Sequence, residues 1–274
     1  MARHAQPSAP KSLSRRSKAV GGLALTTLVG TALWAWPASG DDHNGLADGK
    51  QPAPKTASSP DATPKAPAPK TAPDLASGLL RAIPGLSDIV RKQIPKNARQ
   101  VLVVSGRNGD SYESRVVLYT RAKGADEWRP GRAWDAHNAA HGWTDDHHYG
   151  DLRSPEGVYT LTDAGGRLPA PTGTKLPYDH NHDFVAHGTG VEGEPLAGAF
   201  DYVIAINYNR VPGTSPLDQQ RPDGAFKGGG VWLHVDHDGP TQGCVSLKPD
   251  AMRDLLRTLD PALHPVIVMG PSVR

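Results

Sequence analysis

A cysteine and a histidine ten positions apart are the residues in this sequence best suited to making and breaking covalent bonds. Cys244 is the only cysteine among 274 residues, and it follows Gly243 in the stretch GGGVWLHVDHDGPTQGCVSL, Gly228 to Leu247. His234 comes directly after the apolar run Val231, Trp232, Leu233. A thiol attacks carbonyl carbon as its thiolate, and a neighbouring imidazole can take the proton that stands in the way. Gly239 and Pro240 read as a loop that brings the end of one strand back beside the start of the next. Gly243 places no side chain before the thiol, so the N–H groups of Gly243 and Cys244 can turn toward a developing oxyanion. A free cysteine taken alone more often fills core volume, or in an exported chain bridges two copies. The glycine before it and the strand-end histidine upstream weigh against that reading.

The same residues carry a family resemblance. TQGCVSL resembles the signature Ser/Thr, any residue, Gly, Cys, hydrophobic of the L,D-transpeptidases of the YkuD family, and His234 in WLHV resembles their catalytic histidine. DLRSPEGVYTL, Asp151 to Leu161, is similar to the family's Ser-Pro-x-Gly strand, and YVIAINYN, Tyr202 to Asn209, extends the likeness, which spans about 99 to 270. Many members have Gly, His and Arg or Asn where this chain has Val235, Gln242 and Ser246, and a branch with LHV and PTxGCV is nearer to it.

The resemblance implies a β-sandwich fold and a cysteine acyltransferase that needs no cofactor. Its substrate is the tetrapeptide stem of peptidoglycan, cut between the third residue and the terminal D-Ala. The acyl group passes through a thioester on Cys244 to an amine of a neighbouring stem, a 3→3 cross-link. In this picture His234 is the base, Gly243 helps hold the oxyanion, and the carbonyl of Val235 orients the imidazole, with Asp236 as the alternative. Thr241, Gln242, Ser246, Tyr208 and Trp232 are the candidate substrate contacts, with Trp143 as a further apolar wall. With Ser246 in place of a cationic or amide residue, a substrate carboxylate turns to Arg210, Lys248 or Arg253. Carbapenems, strained acyl donors, are expected to acylate Cys244.

These residues need strands to hold them, and the sequence supplies strands. QVLVVS, RVVLYT, VYTLT, YVIAIN, VWLHV and PVIVM are short β-branched and aromatic runs bounded by Gly, Pro and Asp. The convincing helix is PDAMRDLLRTL, with Pro249 at its start and Met252, Leu255, Leu256 and Leu259 on one face. The fold class is therefore mostly β, sandwich or barrel-like, with a few short helices. Leu75 to Pro95 predicts one or two short amphipathic helices broken at Pro84-Gly85, with Ser87 as a cap, packing on a catalytic domain that runs from 99 to 274. Asn209 to Gly230 is long and turn-rich, a candidate lid over the cysteine.

The N-terminal quarter has another character. Residues 1–40 place Arg15, Arg16 and Lys18 before the apolar run Ala19 to Ala38, the layout of an export signal or, if uncleaved, a membrane anchor. Residues 41–74 repeat PAPKTA and hold almost no large apolar residue, the composition of a disordered linker. Extended, it reaches on the order of 100 Å, enough to carry a tethered enzyme into a cell wall. The expected location is therefore outside the cell, in the wall or anchored beside it. A formal net charge of only +2 gives no field for nucleic acid. The sequence leaves oligomeric state open.

Two histidine clusters define a competing chemistry. His137, His141, His147 and His148 form one, and His180, His182 and His187 the other. Together with Asp145 or Asp146 they could hold zinc for a metal-dependent hydrolase, but neither has a recognised ligand spacing, and the Gly- and Asp-rich surroundings read as loops. Three classes stand: a cysteine acyltransferase, with hydrolysis of the thioester as its variant; a metal hydrolase; and a wall-binding module with an inert thiol.

Overall fold

The protein is described by a computed structural model covering residues 78–271. The segments 1–40 and 41–74 lie outside the described residues.

Strand β1 (Gln100–Gly106) shows how the fold is built. Side chains alternate across a strand, and here both sets are apolar. Val101 and Val103 pack on one face of the sheet, Leu102 and Val104 on the other, all buried. A strand buried on both faces belongs inside a sheet, and β1 lies parallel to β12 (Val266–Pro271) and antiparallel to β2 (Glu113–Thr120). From β2 the sheet runs through β3 (Arg129–His137) to β11 (Val245–Leu247), β10 (Trp232–Val235), β9 (Val203–Ala205), β7 (Ala164–Gly166) and β8 (Tyr178–His180). Strand β6 (Gly157–Thr160) forms the opposite edge beside β12, making ten strands in one curled sheet. A separate pair joins β4 (Trp143–Thr144) to β5 (Ser154–Pro155). The mostly β class read from the sequence holds.

One face of the sheet receives helix α2 (Pro249–Thr258), whose Met252, Leu255 and Leu256 are fully buried against Leu102, Ile204, Leu233 and Leu247. The other face is covered by the segment before β1. That segment matches the expected break at Gly85 and cap at Ser87, with a single short helix. Its one helix is the six-residue α1 (Asp88–Gln93), capped by Ser87, with no buried residue. Gly85 turns the chain at a φ of 78°, and the apolar cover comes from Ile83 and Leu86 on the non-helical approach. Leu80 adds a backbone bridge to Trp128.

Strands β10 and β11 run parallel with Leu233 opposite Val245 and Val235 opposite Leu247. Those four side chains enter the core. By alternation, Trp232, His234 and Ser246 project from the other face, and Cys244 sits one residue ahead of β11, beside Trp232.

Candidate active site

That face is floored by a cleft of about 410 Å³ whose lining includes both Cys244 and His234. The thiol is half-buried. It accepts the Trp232 N–H at 3.4 Å and points its own proton toward the Gly230 carbonyl at 3.6 Å. No hydrogen bond joins it to the His234 ring among the described residues. His234 is buried, and its Nδ1 lies 2.9 Å from the Val235 carbonyl. A carbonyl can only accept, so Nδ1 carries the proton and Nε2 is left with the basic lone pair. This is the orienting contact that the resemblance assigned to Val235. Asp236 faces elsewhere.

Burial sets the resting charges. It pushes the Cys244 thiol up to about 11, only partly offset by the Trp232 N–H. It pulls His234 down to about 4, against the Val235 hydrogen bond. At neutral pH the pair rests as thiol and neutral imidazole.

Around His234 the packing is aromatic. His237 stacks on it nearly parallel, centroids 5.6 Å apart at 10°, and Phe200 meets it edge-on at 5.5 Å. His237 in turn approaches the Glu194 carboxylate at 3.0 Å. On the other side of the nucleophile a second imidazole lies over Gly243. His147 is buried, its Nδ1 stands 3.0 Å from Asp151, and a Cβ on Gly243 would meet its Cε1 at 3.5 Å. Burial holds His147 below the ordinary histidine range despite Asp151. His147, His237 and Phe200 line the cleft; the sequence offered His147 only as a metal ligand and gave Phe200 no part.

The loop that delivers Cys244 is pinned by hydroxyls. Thr241 Oγ1 donates to the Cys244 carbonyl at 2.7 Å, and Ser154 Oγ donates to the same oxygen at 3.1 Å. Neither a loop nor a side-chain acceptor takes the Gly243 or Cys244 N–H among the described residues. Gly243 keeps a φ open to any residue, and a Cβ there makes ordinary contact. Gly228 and Gly230 do need glycine, at φ values of 67° and 68°. They set the Gly230 carbonyl against the thiol.

The other expected contacts are divided by the structure. Thr241 and Gln242 line the cleft. Ser246 does not; it is fully buried, with Oγ donating to Asp236 at 3.1 Å. Trp232 packs beneath the lining, against Phe184 and Phe200. Tyr208 braces the wall, its hydroxyl reaching the carbonyls of Lys227 at 2.8 Å and His147 at 3.1 Å. Trp143 is buried in the core. The three candidate cations are all engaged. Arg210 is buried on Asp163 at 2.9 Å, Lys248 bridges Asp236 and Asp238, and Arg253 pairs with Asp250. None lines the cleft.

Asp236 gathers the polar side of β11. Burial raises its carboxyl, but hydrogen bonds from His137 and Lys248 outweigh this and hold it well below the usual carboxylate range. The first histidine cluster is thereby dispersed, with His137 on Asp236 and His147 on Asp151. No three metal-ligating side chains converge among the described residues.

A β domain with one thiol and an oriented imidazole in a single cleft is the setting in which the comparisons with known proteins fall. The family model of the L,D-transpeptidase catalytic domain, YkuD, matches residues 98–268. The chain belongs to that family, and its domain is of the L,D-transpeptidase type, acting on peptidoglycan. No curated protein matches the chain, and no solved structure does.

Proposed function

We propose that the chain is a cysteine-dependent L,D-transpeptidase that forms 3→3 cross-links between peptidoglycan stems. The observation that carries this reading is the shared cleft, in which His234 is fixed by the Val235 carbonyl with Nε2 free and Cys244 lies on the same face.

The chemistry follows from those atoms. Sγ leaves the Gly230 carbonyl and gives its proton to His234 Nε2. The thiolate attacks the carbonyl of the third stem residue, and the Gly243 and Cys244 N–H groups receive the oxyanion. Collapse forms the thioester, and His234 returns the proton to the departing D-Ala amine. An acceptor amine attacks the thioester, His234 takes the amine's proton, and the thiol is re-formed. Transfer prevails over hydrolysis when the acceptor is held close and water is limited. The apolar lining of Phe200, Val231 and Leu196 favours that. The proposal includes export, from the basic flank and apolar run of residues 1–40.

The test uses the full chain, a tetrapeptide donor and rising acceptor amine, with tripeptide and cross-linked dimer measured by mass spectrometry. Cross-linked dimer should rise with acceptor, and Cys244→Ala should lower D-Ala release by at least about four orders of magnitude. Carbapenem should add one adduct to the wild-type mass and none to Cys244→Ala. Tripeptide as the dominant product at every acceptor level would make this a hydrolase, and turnover by Cys244→Ala would end the cysteine mechanism.

A further inference from the structure

Two strongly exposed aromatic residues are joined through their backbones beside the cleft. Tyr149 is 81% exposed and Phe226 73% exposed. Tyr149 lines the cleft that holds Cys244, and its N–H donates to the Phe226 carbonyl at 2.9 Å. The Phe226 ring lies flat on His148, centroids 5.2 Å apart at 6°. Neither Tyr149 nor Phe226 joins a core cluster.

The loops that carry the rings are tied together. The rings sit on two loops, 145–150 and 209–230, clipped together by the Lys227–Asp146 ion pair and by Tyr208, which reaches a carbonyl on each loop. Asn209 closes the base of the longer loop, donating to the carbonyls of Gly224 at 3.0 Å and Gly228 at 2.6 Å. Apolar surface fixed in water beside a reaction cleft marks a contact surface.

The substrate polymer decides what it contacts. Peptidoglycan offers short peptide stems and a strand of amino sugars. Stem peptides present no broad apolar plane. A pyranose ring does, on the face where its C–H bonds align, with hydroxyl and N-acetyl groups left at the edge for polar partners such as Lys227 and Asp146. Aromatic rings stack on such faces as they do on other flat partners.

We propose that Tyr149 and Phe226 form a saccharide platform that receives the glycan strand while its stem peptide enters the cleft toward Cys244. The second half of that statement rests on the acyl-transfer reading; the platform itself does not.

The experiment therefore has two arms. Peptide-free chitotetraose is titrated into the full-length Cys244→Ala chain by calorimetry, and into the same chain carrying Phe226→Ala or Tyr149→Ala. Each substitution should weaken binding by about tenfold, while Phe226→Trp retains it. Melting temperatures check that each variant folds. In the second arm, kcat/KM for D-Ala release is compared between disaccharide-tetrapeptide and free tetrapeptide donors. The ratio should be about ten in the wild type and fall to about one in Phe226→Ala. Absence of chitotetraose binding, or binding untouched by both alanine variants, overturns the platform even if D-Ala is released. Platform-dependent binding with no release from any donor keeps the platform and overturns the acyl-transfer reading.

Discussion

The two halves of the sheet are held by different forces. In β12, β1 and β2 the pairing runs for six and seven residues at a stretch, and apolar side chains enter a cluster on each face. In β9, β10 and β11 the strands are three or four residues long, with one face wholly apolar and the other mixing Val203, Ala205 and Trp232 with polar groups. The other face carries His234 and Ser246 and is held by hydrogen bonds to Val235, Asp236 and the Cys244 carbonyl. Hydrophobic burial is indifferent to direction, whereas hydrogen bonds fix angles. Both halves bury apolar side chains; the second adds the hydrogen bonds that give aim. Each short strand of the second is kept in place by its neighbour in the sheet and by α2 behind it.

That division can be tested from its strongest consequence down. Leu102→Ala removes a fully buried side chain from the regular half, and should lower unfolding free energy by about 4 kcal/mol. Urea denaturation measures it, with D-Ala release per folded molecule expected to hold. A loss under about 1 kcal/mol would mean the two halves do not differ as described.

His234 exposes the strain of placing a titratable group in the second half. Its folded pKa of about 4 lies below the ordinary 6.5. Between those pH values the unfolded chain binds the extra proton, so stability from the neutral ring is present above pH 6.5. It is lost as pH falls toward 4, by on the order of 3 kcal/mol in full. Melting temperature followed from pH 7 to 4.5 should fall less steeply in His234→Gln. Parallel curves for the two chains would show that burial does not govern this imidazole.

The smallest effect is expected at Gly243. A methyl group there meets His147 only at ordinary contact distance, so Gly243→Ala should change stability by less than about 0.5 kcal/mol. The proposed oxyanion donors are backbone N–H groups that survive the change, so D-Ala release should fall less than about tenfold. A hundredfold fall with an unchanged melting temperature would show that the cleft needs that missing side chain after all.

Much of this was legible from the chain. The Cys244 and His234 motif, the apolar runs of β1, β2 and β12, and the face of α2 each express themselves in consecutive residues. What was hidden depended on partners distant in sequence. RPGRAWDAH contains Pro130 and Gly131 and shows no apolar alternation, yet it forms β3 because β2 and β11 lie on either side. Gly131 is needed there, since a Cβ would come within 2.9 Å of the Leu118 carbonyl. Arg210 looked free to meet substrate because Asp163, forty-seven positions away, could not be seen beneath it. Ser246 follows Val245 and was read as a substrate contact, but the sheet face it occupies is closed over by Asp236. The pairs His147–Asp151 and His237–Glu194 were obscured for a different reason. Histidines in Gly- and Asp-rich segments look alike until the fold separates those that line a cleft from those that do not.

The burial of the thiol has a consequence for durability. A thiol held up to about 11 is ionised at pH 7 in about one molecule in ten thousand. Peroxides and alkylating agents react with thiolate, so the resting nucleophile is poorly visible to them. Oxidative inactivation should therefore be slow in the free protein, and iodoacetamide labelling of Cys244 should lag that of a free cysteine by orders of magnitude at neutral pH. In the proposed mechanism, an acyl donor that brings Sγ to His234 lifts this protection only while it is bound. Burial thus acts as a chemical safety catch.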